Sequence, residues 1–157
     1  MRYFLVLFCI LLPLKNAHSV STSGNASVVI QKLISISETT AMNFGRVYST
    51  ASPGDVTLAP AGTRSSSVST QFDQTATAGV FAVTGEANTT MDVTFTPGTL
   101  SNGANTITLD NLSHTPAVAT TNASGDLTLN IGGRITTIAN QAAGTYSGTY
   151  TITVNYQ

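Results

Sequence analysis

Between Gly144 and Gln157 the side chains alternate without a break. One parity carries Gly144, Tyr146, Gly148, Tyr150, Ile152, Val154 and Tyr156. The other carries Thr145, Ser147, Thr149, Thr151, Thr153, Asn155 and Gln157. Successive residues of a strand face opposite sides, so this stretch has one apolar face and one hydroxyl and amide face. A slip of one residue would turn every tyrosine to water, which ties the segment to a sheet with one buried side. The pattern reaches Gln157 with no turn after it, so the strand is expected to be held by a neighbour.

The remaining elements are expected to be strands too. Leu33 to Glu38, Asp55 to Ala59, Ser65 to Phe72 and Gly79 to Glu86 are short β-prone runs. Met91 to Thr96 alternates and is expected to stop at Pro97-Gly98. A turn at Ser101-Asn102-Gly103 precedes Thr106 to Leu112, and a loose loop is expected over residues 113–125. Leu127, Leu129 and Ile131 alternate up to Gly132-Gly133, expected to mark a bulge or bend, and Ile135 and Ile138 continue after it. No stretch after residue 19 combines a helical period with caps. Many short strands with Gly, Pro and Asn between them predict an all-β fold, a β-sandwich.

Residues 1–19 read as a secretory signal. Arg2 supplies the positive start, Tyr3 to Leu14 the apolar run, and Ala17 and Ser19 the small residues before a cut. The run is short for a membrane anchor, so no membrane insertion is expected after cleavage. Removing 19 of 157 residues leaves 138, one domain's length. Cys9 leaves with the signal, so no disulfide can form. Four basic residues remain (Lys32, Arg46, Arg64 and Arg134) against seven acidic ones, a net charge of −3. Without a basic patch, nucleic acid is not an expected partner.

Residues that could carry chemistry are scarce. One histidine, His114, remains after cleavage, in the expected loop. There is no nucleophile elbow, no phosphate-binding glycine loop and no dense acidic cluster for calcium. The chain is therefore expected to be no enzyme and to hold no cofactor or metal. Four matches to the N-glycosylation pattern begin at Asn25, Asn88, Asn111 and Asn122, and chance accounts for them in a chain this rich in Asn, Ser and Thr.

Ahead of the domain, Ala26, Val28 and Ile30 share one parity, and Lys32 interrupts the pattern before Leu33 to Ile36 resume it. Two readings stand. Residues 26–38 could be one first strand with Lys32 at a bend, or residues 20–32 could be a strand-forming extension of a domain spanning residues 33–157.

The C-terminal pattern resembles that of pilin subunits of the bacterial chaperone–usher pathway. Gly144 stands fourteenth from the end, alternating apolar residues follow, and Tyr156 is penultimate. The run from Gly144 to Tyr150 is similar to spore-coat-U-type pilins, and more so to a related uncharacterised family of secreted bacterial β-sandwich proteins. Met42-Asn43-Phe44-Gly45 and Gly79 to Gly85 resemble elements of the same group. Many of those pilins carry a disulfide near the first strand, which this chain lacks.

The resemblance implies an immunoglobulin-like sandwich that is incomplete, because its final strand is missing. It implies a structural subunit of a surface fibre, a fimbrium, assembled by donor-strand complementation. The implied partners are a periplasmic chaperone, an outer-membrane usher, and further copies or related pilin subunits. The implied route is through the periplasm to the cell surface. Gly144, Tyr146, Tyr150, Ile152, Val154 and Tyr156 would form the chaperone and donor-strand interface, and Ala26, Val28 and Ile30 would be the donated residues. The alternative is a self-complete, monomeric sandwich acting as an adhesin or carbohydrate-binding module. An extracellular hydrolase is a more distant one.

Overall fold

The computed structural model describes residues 18–68 and 72–157. The signal expected over residues 1–19, with Cys9, lies outside the described residues but for its last two positions. The chain divides into two units, residues 1–30 and residues 31–157. In the first, residues 18–30 contain no strand and are exposed throughout. Every strand of the described residues lies in the second.

No helix occurs among the described residues, and the fold is all-β with antiparallel pairing. The main sheet runs β1 (Ser35–Thr40), β6 (Gly79–Thr84), β10 (Asp126–Thr137), β8 (Asn105–Thr115), β7 (Thr90–Asn102) and β11 (Ser147–Tyr156). β3 (Gly54–Leu58) joins β10 and carries β4 (Arg64–Ser66), and β9 (Ala119–Thr120) joins β7. A separate pair joins β2 (Arg46–Val47) to β5 (Phe72–Asp73).

β10 is the central strand, and its composition explains why. β6 takes its first half and β3 its second, while β8 covers most of the opposite edge. Leu127, Leu129, Ile131 and Ile135 point inward at period two and are all buried. Gly132 sits where β6 gives way to β3; a Cβ there would collide with the carbonyl of Leu58, so only glycine admits the approach.

Two apolar clusters result. One contains Val56, Leu58, Ile107, Leu109 and Ile135; the other contains Val83, Met91, Leu127, Leu129 and Ile131. Met42, Leu112 and Tyr150 pack against both.

Several expectations change. β7 does not stop at Pro97-Gly98 but runs through it to Asn102. Thr96 opposes Thr151 and Thr99 opposes Thr149, so β7 carries one extra residue there. That bulge absorbs Pro97, which has no N–H to give a ladder. The loop expected over residues 113–125 is partly strand: β8 extends to Thr115, and β9 buries Ala119. His114 is therefore a strand residue opposite Ile131. The bulge expected at Gly132-Gly133 is present, but the extra residue lies on β8, where Asn111 adopts φ 47°. β1 starts at Ser35, leaving Leu33 exposed, and β11 starts at Ser147.

Candidate functional site

β11 is an edge strand. It pairs with β7 from Met91 to Ser101 and with no other strand among the described residues. Its apolar side chains alternate as expected, yet Tyr150, Ile152, Val154 and Tyr156 are only half-buried, whereas the inward residues of β10 are fully buried. The core is sealed on the β10 side and incompletely covered along β11.

The gap is a cleft of about 840 Å³. Residues 42–49 form one wall and residues 141–148 the other, and Leu100, Ile107, Leu109 and Ile135 lie within the lining. Three of these four are core residues of the first cluster. The cleft thus reaches the hydrophobic interior between walls that also carry polar groups, among them Asn43, Gln74 and Gln141.

Local chemistry builds each wall. Asn43 exchanges both backbone hydrogen bonds with Thr77, at 2.8 and 2.7 Å, and its Oδ1 accepts from the Gly45 N–H at 2.7 Å. Gly45 has φ 67°, which turns the chain away after Phe44. Arg64 then holds the turn: its guanidinium donates to the carbonyls of Phe44, Arg46 and Gln74 and lies 4.1 Å from the centroid of the Phe72 ring. On the other wall, Gln141 is buried and donates to the Tyr146 hydroxyl at 2.9 Å, and that hydroxyl donates to the Ala142 carbonyl at 2.8 Å. Gly144 has φ 150° and packs on the Asn102 side chain, where a Cβ would collide.

Tyr150 crosses from the wall to the junction of the two clusters. Among the described residues its hydroxyl is buried without a hydrogen-bond partner, and a Cβ on Gly79 would lie 2.7 Å from it. Burial, and after it the Glu38 carboxylate, pushes the phenol up to about 12.

The far end of β11 is closed. The Tyr156 hydroxyl donates to the Lys32 carbonyl at 2.6 Å and accepts from the Glu86 N–H at 2.7 Å. The Lys32 N–H donates to the Glu86 carboxylate at 3.1 Å. Ile34 packs beside Ile152, Val154 and Tyr156 on the second cluster.

The interface residues expected from sequence therefore fall in two groups. Gly144, Tyr146 and Tyr150 line the cleft. Ile152, Val154 and Tyr156 cover the second cluster and do not line it. Ala26, Val28 and Ile30 are exposed, Val28 at 81% and Ile30 at 88%, and lie in no strand. Lys32, expected to end the extension, is instead bonded into the domain by Tyr156 and Glu86. Sequence reasoning missed Arg64 and the cleft lining at Leu100, Ile107, Leu109 and Ile135. Their alternation marks them as core, but nothing in it marks which part of the core stays open.

A family model described as a domain of unknown function, DUF4402, matches residues 34–156. The chain belongs to the DUF4402 family. Its match takes in both walls of the cleft and all of β1 and β11. No curated protein and no solved structure matches the chain.

Proposed function

We propose that this DUF4402 protein is a structural subunit of a bacterial surface fibre, a pilin-like protein that polymerises by strand donation between copies. The observation that carries the reading is the cleft: the interior lies open between residues 42–49, paired on one side with β5 and Thr77, and the start of β11, whose only strand partner among the described residues is β7. Such an edge beside apolar side chains exposes unmet N–H and C=O groups and is an aggregation hazard in a lone molecule. An inserted strand would cover the apolar lining and meet those groups together.

The occupant is a second copy's residues 20–30. They are exposed, they form no strand of their own, and Ala26, Val28 and Ile30 repeat at period two. Three such residues span roughly 13 Å at about 3.3 Å per residue. Each buried Val or Ile contributes roughly 1.5–3 kcal/mol. Direction supports the reading as well. Lys32 is bonded at the Tyr156 end of β11, while the cleft lies at the Ser147 end. A donor segment and an acceptor cleft that are different surfaces make a head-to-tail contact, which propagates as a filament where the rotation does not close. Before assembly, a periplasmic chaperone would shield the cleft, and an outer-membrane usher would pass subunits to the surface.

Deleting residues 20–30 is expected to leave a folded domain that forms no fibres by electron microscopy. Fibres of unchanged length from the truncated protein would refute strand donation. A monomeric wild-type protein at all concentrations would favour the self-complete adhesin reading.

A further inference from the structure

The seam along the unpaired side of β11 differs along its length. At the Ser147 end it is the open cleft, walled by residues 42–49 and 141–148. At the Tyr156 end the chain's own Lys32 is held by two hydrogen bonds, of 2.6 Å with Tyr156 and 3.1 Å with Glu86, and a third of 2.7 Å ties Glu86 to Tyr156. Both backbone groups of Lys32 are engaged, its carbonyl by Tyr156 and its N–H by Glu86. The space is shaped for this arrangement. Gly85 leaves room for the Tyr156 ring, since a Cβ there would lie 2.8 Å from the Tyr156 hydroxyl and 2.5 Å from Met91 Cε. Gly125, at φ 86°, accepts the Gly85 N–H on its carbonyl at 2.8 Å and has Lys32 Nζ 3.3 Å from where a Cβ would be.

We infer that the Tyr156 hydroxyl is a latch: it pins Lys32 across the end of β11, so that an incoming strand enters only at the cleft and stops short of Val154. The inference rests on the strand-donation reading and adds a limit to it. The segment that closes the seam is the root of the chain's own extension. A subunit therefore cannot accept a strand over the whole of β11 without releasing Lys32. Tyr156 is a positioning residue in this arrangement: its ring serves the core, and its hydroxyl sets how far the groove runs.

The test compares the full chain with its Tyr156→Phe variant, which keeps the ring and loses the hydroxyl. Amide hydrogen exchange is read with and without an excess of a synthetic peptide of residues 20–30. Without peptide, the amides of Lys32 and Glu86 are expected to exchange about tenfold faster in the variant, the size of one lost hydrogen bond. With peptide, the wild type is expected to gain protection in residues 44–48 and 147–150 only, and the variant through Val154 and Asn155 as well. Glu86→Ala, which leaves the Tyr156 hydroxyl in place, is expected to loosen Lys32 in the same sense and provides a second variant should the first fold poorly. Equal exchange at Lys32 and Glu86 in wild type and Tyr156→Phe overturns the latch. So does peptide protection that ends at the same residue in both. Protection nowhere in either protein overturns strand donation itself, and the latch's limit on it.

Discussion

At the scale of single residues, three side chains separate packing from polar chemistry. Tyr156 does both. Replacing it with Ser removes a half-buried ring and the latch together, at a cost of about 2 kcal/mol of transfer free energy. The expected outcome is a lower melting temperature and a reduced yield of folded protein; a wild-type yield would mean that the ring is no anchor. Tyr150 differs, because its hydroxyl has no hydrogen-bond partner among the described residues. Its phenol is raised from 10.0 to about 12 by burial and then by Glu38. A raised acid favours the folded, neutral form, so its contribution is intact below pH 10 and is lost as the pH rises through about 12. Ultraviolet titration is expected to show a phenol ionising near pH 12, and Tyr150→Phe to remove that step. Asp110 has the opposite sign. The bidentate hydrogen bond from Arg134, at 2.8 and 2.9 Å, holds its carboxyl below the ordinary 3.8. A lowered acid stabilises above its unfolded value and loses that contribution as the pH falls through the folded one. In Asp110→Asn, urea unfolding is expected to lose less stability than in wild type between pH 5 and pH 2.

At the scale of elements, the strands follow from alternation, and their ends follow from contacts that alternation does not encode. β11 and β10 are both visible as period-two patterns, and both form. The alternation of Met91, Val93 and Phe95 stops at Pro97-Gly98, and a proline cannot donate to a ladder, yet β7 does not end there. It continues because a bulge places Pro97 outside the ladder, and because Gly98 lets the Thr149 carbonyl approach where a Cβ would collide. Gly98→Ala is accordingly expected to destabilise by about 1–3 kcal/mol, the usual cost of overpacking, read as a shift in the urea midpoint. Arg64 has no pattern to announce it. It joins the cleft wall at Phe44 and Arg46 to Gln74 beside β5, so its role exists only once three distant segments meet. Lysine keeps the charge but offers a point donor where the guanidinium spans three carbonyls. Arg64→Lys is expected to speed amide exchange across residues 43–47 and 72–77 while leaving β10 unchanged.

At the scale of the whole molecule, the protein is an antiparallel all-β domain whose apolar interior is uneven. The second cluster is covered by its own chain, through Ile34 and the Lys32–Tyr156 contact. The first remains accessible between residues 42–49 and 141–148. A molecule finished in this way is expected to depend on what fills the gap. Adding the peptide of residues 20–30 to monomeric protein is expected to raise the melting temperature with peptide concentration, as binding to the folded state alone requires. A melting temperature that ignores the peptide would mark a domain already complete.

The all-β class and the inward faces of β10 and β11 were legible in the sequence, because side-chain alternation acts between near neighbours; Gly132-Gly133 marked where the ladder is irregular, but not that the extra residue lies on β8. Three things required the tertiary structure: that β11 is an edge, that the cleft lies at its Ser147 end, and that Lys32 belongs to the domain while residues 18–30 do not. Each depends on which segments far apart in the chain come to lie side by side. Lys32 and Tyr156 stand 124 positions apart, and no local pattern records that a carbonyl at one meets a hydroxyl at the other.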